Sequence, residues 1–304
     1  MATAGSAPKA PGGDAMLAGR RVARIGLGAM QLAGGHVRPA PEPELAVAVL
    51  RAAVDEGVNH IDTAEFYSAG RCNELIRQAL APYPEDLVLV SKVGAEHDDQ
   101  GGLVVAQRPE QLRAGVEANL ATLGVERLDV VNLRRADAPP GILAEGDQVV
   151  DLDSQLAELL ALRDEGKIGG IGLSHVTAEQ LRHALPAGIA CVQNAYSLLD
   201  RASQPVLDVC REHDIAWVPF CPLGSAFPHL PKVTGHPAVL EAAASLGATP
   251  AQVGLAWLLG THAHTLLIAG TANPAHMKEN IAAGDVRLDR ETLATLDGIA
   301  ASAG

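Results

Sequence analysis

Short apolar runs alternate along the chain with longer stretches in which apolar residues recur every three to four positions, the helical period. The runs are RIGLG (24–28), NHID (59–62), LVLVS (87–91), DVVNL (129–133), GGIGL (169–173), ACVQ (190–193), AWVP (216–219) and TLLI (265–268). Among the longer stretches, PEQLRAGVEANLATLG (109–124) and LDSQLAELLALRDEG (152–166) predict the clearest amphipathic helices, each closed by a glycine suited to a helix C-terminus. Pro109, Pro250 and Pro274 fall at predicted first helical positions, where a missing N–H costs nothing. Thr249 and Asn273 can cap, and Thr177 with Gln180 forms a capping box. Eight strand runs separated by helices are what a closed parallel barrel requires, so the predicted fold class is α/β, a (β/α)8 TIM barrel. A β-hairpin, MLAGRRVARIGLG (16–28), precedes it.

A single barrel domain is expected over 16–304, after a flexible tail (1–15) rich in Ala, Gly and Pro and lacking the apolar core of a signal peptide. Neither an internal repeat nor a linker divides the domain. Two connections are long for a minimal barrel: 134–150, with Pro139-Pro140, and the Pro/Gly/His-rich 222–237. Long loops at the C-terminal mouth are usually functional, a tolerated surface insertion being the alternative.

The apolar share of 48% comes mostly from Ala, Val and Leu, with 3% aromatics, which suits close-packed helices and short buried strands. A formal charge of −13 argues against a nucleic-acid or anionic-membrane surface and leaves any anionic ligand to a local basic pocket. No stretch is long enough to span a bilayer. Cys72, Cys191, Cys210 and Cys221 have no CxxC spacing and read as free thiols of a cytoplasmic protein.

In a barrel, reactive groups belong at the C-terminal strand ends, where the loops converge on one mouth. Asp62, Lys92, Arg134, Ser174, Gln193 and Phe220 stand at or just past the ends of successive runs, and Tyr67 follows in the loop DTAEFYSAG. A carbonyl that accepts hydride needs a proton, hence a neutral but willing acid. An ammonium about 4 Å away acts on a phenol with roughly 4 kcal/mol at an effective dielectric of about 20. Lys92 is the candidate cation, with Asp62 to hold it.

GLGAMQ (26–31), HIDTAEFY (60–67), SKV (91–93), LDVVNLRR (128–135), IGLSH (171–175), VQNAYS (192–197), FCPLGS (220–225) and GTANPAHMKENIAA (270–283) together resemble the aldo-keto reductase superfamily over nearly the whole chain. The resemblance implies that Asp62, Tyr67 and Lys92 are catalytic and that the reaction is carbonyl reduction with a nicotinamide cofactor. Arg134 replaces the family's usual histidine. A guanidinium stays charged, so Arg134 is expected to polarise the carbonyl or clamp an anionic or phenolic substrate, with an ion pair to Asp137 as the alternative. VVNLR with this arginine is similar to the superfamily's bacterial pyridoxal reductases, which makes a pyridoxal-like aromatic aldehyde the leading substrate. The alternatives are a broad-specificity or secondary-metabolite ketone reductase, and a cofactor-sensing or partner-binding member with slow chemistry.

The same resemblance assigns cofactor contacts. Ser174, His175 and Gln193 match the nicotinamide carboxamide positions, and Phe220 the aromatic residue that stacks on the ring. Cys221, Pro222, Leu223, Gly224 and Ser225 are expected at the pyrophosphate. Gly270, Thr271, His276, Glu279 and Asn280 are expected at the adenosine end. Gly28, Ala29 and Met30 allow close approach at the first strand, with Asp62 beneath. His276 and Gly270 stand where many relatives carry Arg and Lys, a gap that Lys278 or a basic residue of the preceding loop is expected to fill, so NADPH is expected with NADH as the alternative. No metal is required: His97-Asp98-Asp99 and the pair His262 and His264 read as solvated loop residues. The expected partner is a small-molecule carbonyl substrate, for a monomer or weak homo-oligomer.

Overall fold

The computed structural model describes residues 10–34, 39–138, 141–224 and 231–299. Its first element is a hairpin, β1 (Asp14–Leu17) antiparallel to β2 (Arg20–Ala23). Asp14 and Ala15 therefore belong to a strand rather than to the tail, and Ala15 is buried. Next come β3 (Leu27–Gly28), β4 (His60–Asp62) and β5 (Val88–Val93). A second hairpin that the sequence pattern did not predict follows, β6 (Ala95–His97) and β7 (Leu103–Val105). β8 (Leu128–Arg134), β9 (Ile168–Ser174), β10 (Ile189–Gln193) and β11 (Ala216–Trp217) complete the set.

Seven strands form one parallel sheet in the order β11-β10-β9-β8-β5-β4-β3. The eighth predicted run, 265–268, is not a strand of its own. Parallel bridges Trp217–Thr265 and Ile25–Leu267 set it between β11 and β3 and close the (β/α)8 barrel. Gly28 and Gly270 make that seam: a Cβ on Gly270 would lie 2.5 Å from the carbonyl oxygen of Gly28, and one on Gly28 would run into that of Ile268.

Helices α1 (Pro43–Asp55), α2 (Arg71–Leu80), α3 (Pro109–Leu123), α4 (Leu152–Asp164), α5 (Ala178–Ala184) and α6 (Gln204–Glu212) alternate with the barrel strands. α7 (Pro237–Leu246), α8 (Pro250–Thr261), α9 (Pro274–Ala282) and α10 (Arg290–Asp297) follow. Pro109, Pro250 and Pro274 occupy first turns, Thr249 and Asn273 cap α8 and α9, and Thr177 with Gln180 makes the capping box of α5. Among the described residues no single helix is long and apolar enough to cross a membrane.

Side chains of a strand alternate between its two faces, so the barrel has two cores. Leu87, Leu89, Val131 and Leu133 pack outward against the helices. Val88, Val90, Val130, Cys191, Ala216, Val218 and Leu266 point inward and meet Ala15, Leu17 and Val22 of the first hairpin, which plugs the N-terminal end. Continuing the inward positions toward the mouth turns the lining polar: Asp62 after His60, Lys92 after Val90, Arg134 after Asn132, Gln193 after Cys191.

Candidate active site

Register brings these side chains together. Asp62 stands beside Val90, Lys92 beside Asn132, and Ser174 between Arg134 and Gln193. The Lys92 ammonium makes a short, charge-assisted hydrogen bond to Asp62 Oδ1 and a second, of 3.0 Å, to the Thr63 carbonyl. Gln193 Nε2 donates to the other carboxylate oxygen at 2.6 Å. Burial disfavours the charge on Lys92, but Asp62 and then Tyr67 outweigh it and hold the ammonium above its ordinary pKa. Lys92 is a fixed cation.

Tyr67 sits in the turn after β4, where its N–H bonds the Ala64 carbonyl at 3.1 Å and Ser68 and Ala69 take positive φ. Lys92 Nζ lies 4.9 Å from its ring centroid. Lys92 lowers the phenol's pKa as expected, yet the net shift is upward. Burial, the largest influence, raises it; Lys92 pulls it down, and Asp62 pushes it up again. A carboxylate bonded to the ammonium cancels much of its field, so in this state the phenol is firmly protonated.

Arg134 ends β8 with its Nη1 buried and without a hydrogen-bond partner among the described residues. Burial lowers its pKa, opposed by the nearby Tyr67. The alternative partner, Asp137, is taken by the next residue. Arg135, on the outward face, bonds Asp137 twice, at 2.7 and 2.8 Å, and also reaches Val150 O and Gln155. Gly141 of the following loop packs on the Arg134 guanidinium, where a Cβ would fall 2.7 Å from Nη2.

A buried polar network supports the catalytic strands. Thr63 Oγ1 donates to Asn73 Oδ1 (2.8 Å), and Asn73 Nδ2 donates to Asn119 Oδ1 (3.0 Å) and Thr122 Oγ1 (2.9 Å). Ser91 Oγ donates to the same Asn119 oxygen at 2.5 Å, while Asn119 Nδ2 reaches Gly115 O (2.8 Å) and Lys92 O (3.5 Å). The backbones on either side of the ion pair are thus fastened to α2 and α3. Sequence reasoning missed these residues; the available signal was Asn73 and Asn119 falling on apolar helix faces.

The expected cofactor positions ring the mouth. Ala29 is buried, its N–H on the Asp62 carbonyl (2.8 Å), whereas Met30 is half exposed. Ser174 is buried at the end of β9; His175 follows with φ +60° and donates its N–H to Gln193 O at 3.0 Å. Half-buried Phe220 bridges Ala195. Cys221 and Gly224 close a turn, with Pro222 and Leu223 between them. Ser225 lies outside the described residues. Thr271 is buried beside the start of α9, which carries exposed His276 and half-buried Glu279 and Asn280. Glu279 accepts from Thr249 Oγ1 at 2.5 Å. Lys278, expected to fill the gap left by His276 and Gly270, is exposed and pairs with Glu56 of α1 at 3.1 Å.

The four cysteines are free thiols, of which only Cys221 is exposed. Among the described residues no group of three His, Cys, Asp or Glu is placed to hold a metal ion. His97 is not a solvated loop residue: both its ring nitrogens meet carbonyl oxygens. The rings of His262 and His264 pack edge to face, 5.3 Å apart.

A closed barrel with this polar cluster at its mouth defines an oxidoreductase. The chain belongs to the aldo/keto reductase family, whose model matches residues 24–301. It is 44% identical over 282 residues to pyridoxine 4-dehydrogenase of Escherichia coli K12, covering 92% of this chain and 96% of that one. Among solved structures it resembles a thermostable aldo-keto reductase bound to the inhibitor epalrestat (TM-score 0.79, 27% identity, 94% of this chain and 99% of the other). It also resembles an aldo-keto reductase of Klebsiella pneumoniae in complex with NADPH (TM-score 0.75, 28% identity, 91% and 90%).

Proposed function

We propose that the chain reduces an aldehyde to an alcohol with NADPH, and that its substrate is an electron-poor aromatic aldehyde of the pyridoxal type. The observation that carries the reading is the inward-facing cluster of Tyr67, Lys92, Asp62 and Arg134, whose buried Nη1 has no hydrogen-bond partner among the described residues. Support for the substrate comes from the 44% identity to a pyridoxine 4-dehydrogenase. Support for the cofactor comes from the Klebsiella relative in complex with NADPH, with NADH as the alternative. Free thiols suit a cytoplasmic protein.

Gln193 tests the fit of a nicotinamide. With Nε2 committed to Asp62, its Oε1 is a buried acceptor lacking a donor, and a carboxamide N–H is the group it lacks. Ser174, His175 and Gln193 would hold that end, Phe220 the ring face, and the 221–224 turn with the start of α9 the phosphates and adenosine. The bound cofactor supplies a hydride.

The chain's own residues handle the proton. Tyr67 gives its phenolic proton to the carbonyl oxygen as negative charge develops there. Lys92 stabilises the phenolate left behind, and Arg134 offers a second fixed positive charge to that phenolate or to the substrate oxygen. Asp62 and the Thr63 carbonyl keep the ammonium in place. Tyr67→Phe should bind cofactor normally, by fluorescence titration, and lose turnover by roughly 100-fold or more; undiminished reduction would remove Tyr67 as the acid. NADPH and NADH oxidation should be followed against pyridoxal, other aromatic aldehydes, dicarbonyls and bulky ketones. Reduction of unrelated ketones but not of pyridoxal would retire the pyridoxal assignment in favour of a broad ketone reductase. Binding without oxidation across the panel would point to a cofactor sensor.

A further inference from the structure

His97, the last residue of β6, has a carbonyl oxygen at each end of its imidazole. Nδ1 lies 3.0 Å from Gly101 O across the hairpin turn, and Nε2 lies 3.0 Å from Phe66 O, one residue before Tyr67. A neutral ring carries one N–H and can satisfy only one of these acceptors, whereas imidazolium donates to both. The rest of the hairpin packs on the same turn. Ala95 and Leu103, with Ile142 from the loop after β8, form a small apolar cluster with Ala64, Phe66 and Tyr67. Phe66 meets the Tyr67 ring edge-on at 5.4 Å.

Three acidic residues, Glu65, Glu96 and Asp98, stand on the segments around His97. Glu65 precedes Phe66 on the catalytic turn; burial raises its carboxyl pKa, and the charge of His97 lowers it. Glu96, on the same strand, is held by Gln111 Nε2 of α3 at 2.8 Å. Asp98, in the hairpin turn, accepts the N–H groups of Gln100 (2.9 Å) and Gly102 (2.7 Å). The loop after β8 contributes only the apolar Ile142 to the cluster.

We propose that His97 is a positioning residue for Tyr67, whose imidazole, set between the Gly101 and Phe66 carbonyls, latches the β6–β7 hairpin onto the turn that carries the phenol. The inference rests on the reading of Tyr67 as proton donor. It requires no contact between His97 and the reacting atoms.

Three variants separate the latch from general packing. The glutamine of His97→Gln can place an amide N–H where Nε2 stands, that of His97→Asn where Nδ1 stands, and His97→Ala removes both. Steady-state reduction of the best aldehyde of the panel should be measured from pH 5.5 to 9, with cofactor affinity by fluorescence. Hydrogen exchange should be followed over 64–67 and 95–105, corrected for intrinsic rates. The expected result is that His97→Ala and His97→Asn lower kcat about fivefold, the worth of one hydrogen bond, with cofactor affinity unchanged. Exchange in both segments should rise. His97→Gln should restore kcat and the protection of both segments. The proposal is overturned if His97→Ala matches the parent in kcat and exchange at every pH. It is equally overturned if His97→Gln is as impaired as His97→Ala in kcat and exchange. Turnover surviving Tyr67→Phe would remove the donor reading alone, since hydrogen exchange reports the latch without it.

Discussion

Arg134 and Arg135 are neighbours in sequence with opposite fates. Arg135 spends its donors on Asp137, Val150 and Gln155, while Arg134 keeps Nη1 buried and unbonded. A buried donor without a partner costs about 1–3 kcal/mol, a cost kept where a ligand repays it. Arg134→Met should therefore move two measurements in opposite directions. Stability should rise by ~1 kcal/mol in urea denaturation. Meanwhile kcat/KM for a phenolic or anionic aldehyde should fall by roughly 10- to 100-fold, and by less for a neutral aldehyde. Equal losses for both would deny Arg134 a role in recognising the anion. Asp62, Tyr67, Lys92 and Arg134 were legible because short segments carry them to strand ends. Which arginine pairs with Asp137 was not, because a parallel strand buried on both faces hides its alternation in sequence. The state of Tyr67 was illegible for a different reason: the competition among burial, Lys92 and Asp62 is settled by distances that no sequence contains.

At the level of elements, caps and prolines marked helix starts well, since they act through neighbouring residues. Strands were less readable. The run 24–28 shrinks to Leu27–Gly28, and 265–268 survives only as bridges, because closure depends on partners far along the chain. The β6–β7 hairpin went unrecognised, its polar turn hiding two three-residue strands. Asn119 shows how one element serves another: from α3 it accepts from Ser91 and Asn73 and donates toward Lys92 O. Asn119→Ala would strand several buried polar groups, so stability should fall by about 2–4 kcal/mol. In the folded fraction kcat should fall more than cofactor affinity, measured by single turnover beside fluorescence titration. A stability loss with kcat intact would mean that Lys92 holds its place without α3.

The whole molecule has a plugged lower end and an open upper one. Inside it, His60 is fully buried, and burial, only weakly opposed by the Ala23 backbone, pushes its pKa down to about 4. The unfolded chain takes up that proton at about pH 6.5. With the folded value depressed, the unfolded state binds more protons between the two. The contribution is complete above about pH 6.5 and is lost as pH falls toward about 4, amounting to ~3 kcal/mol. His60→Leu should flatten the decline in urea midpoint between pH 7 and 4.5; an unchanged decline would place the acid sensitivity elsewhere.

The plug formed by Ala15, Leu17 and Val22 has one more consequence. It fills the barrel floor beneath the ion pair with apolar side chains, which disfavours water at that end. With Tyr67 as the proposed acid, each proton spent in a turnover is expected back through the doorway that admits the substrate. Recharging the acid would then wait until the product steps out, tying readiness for the next cycle to release of the last.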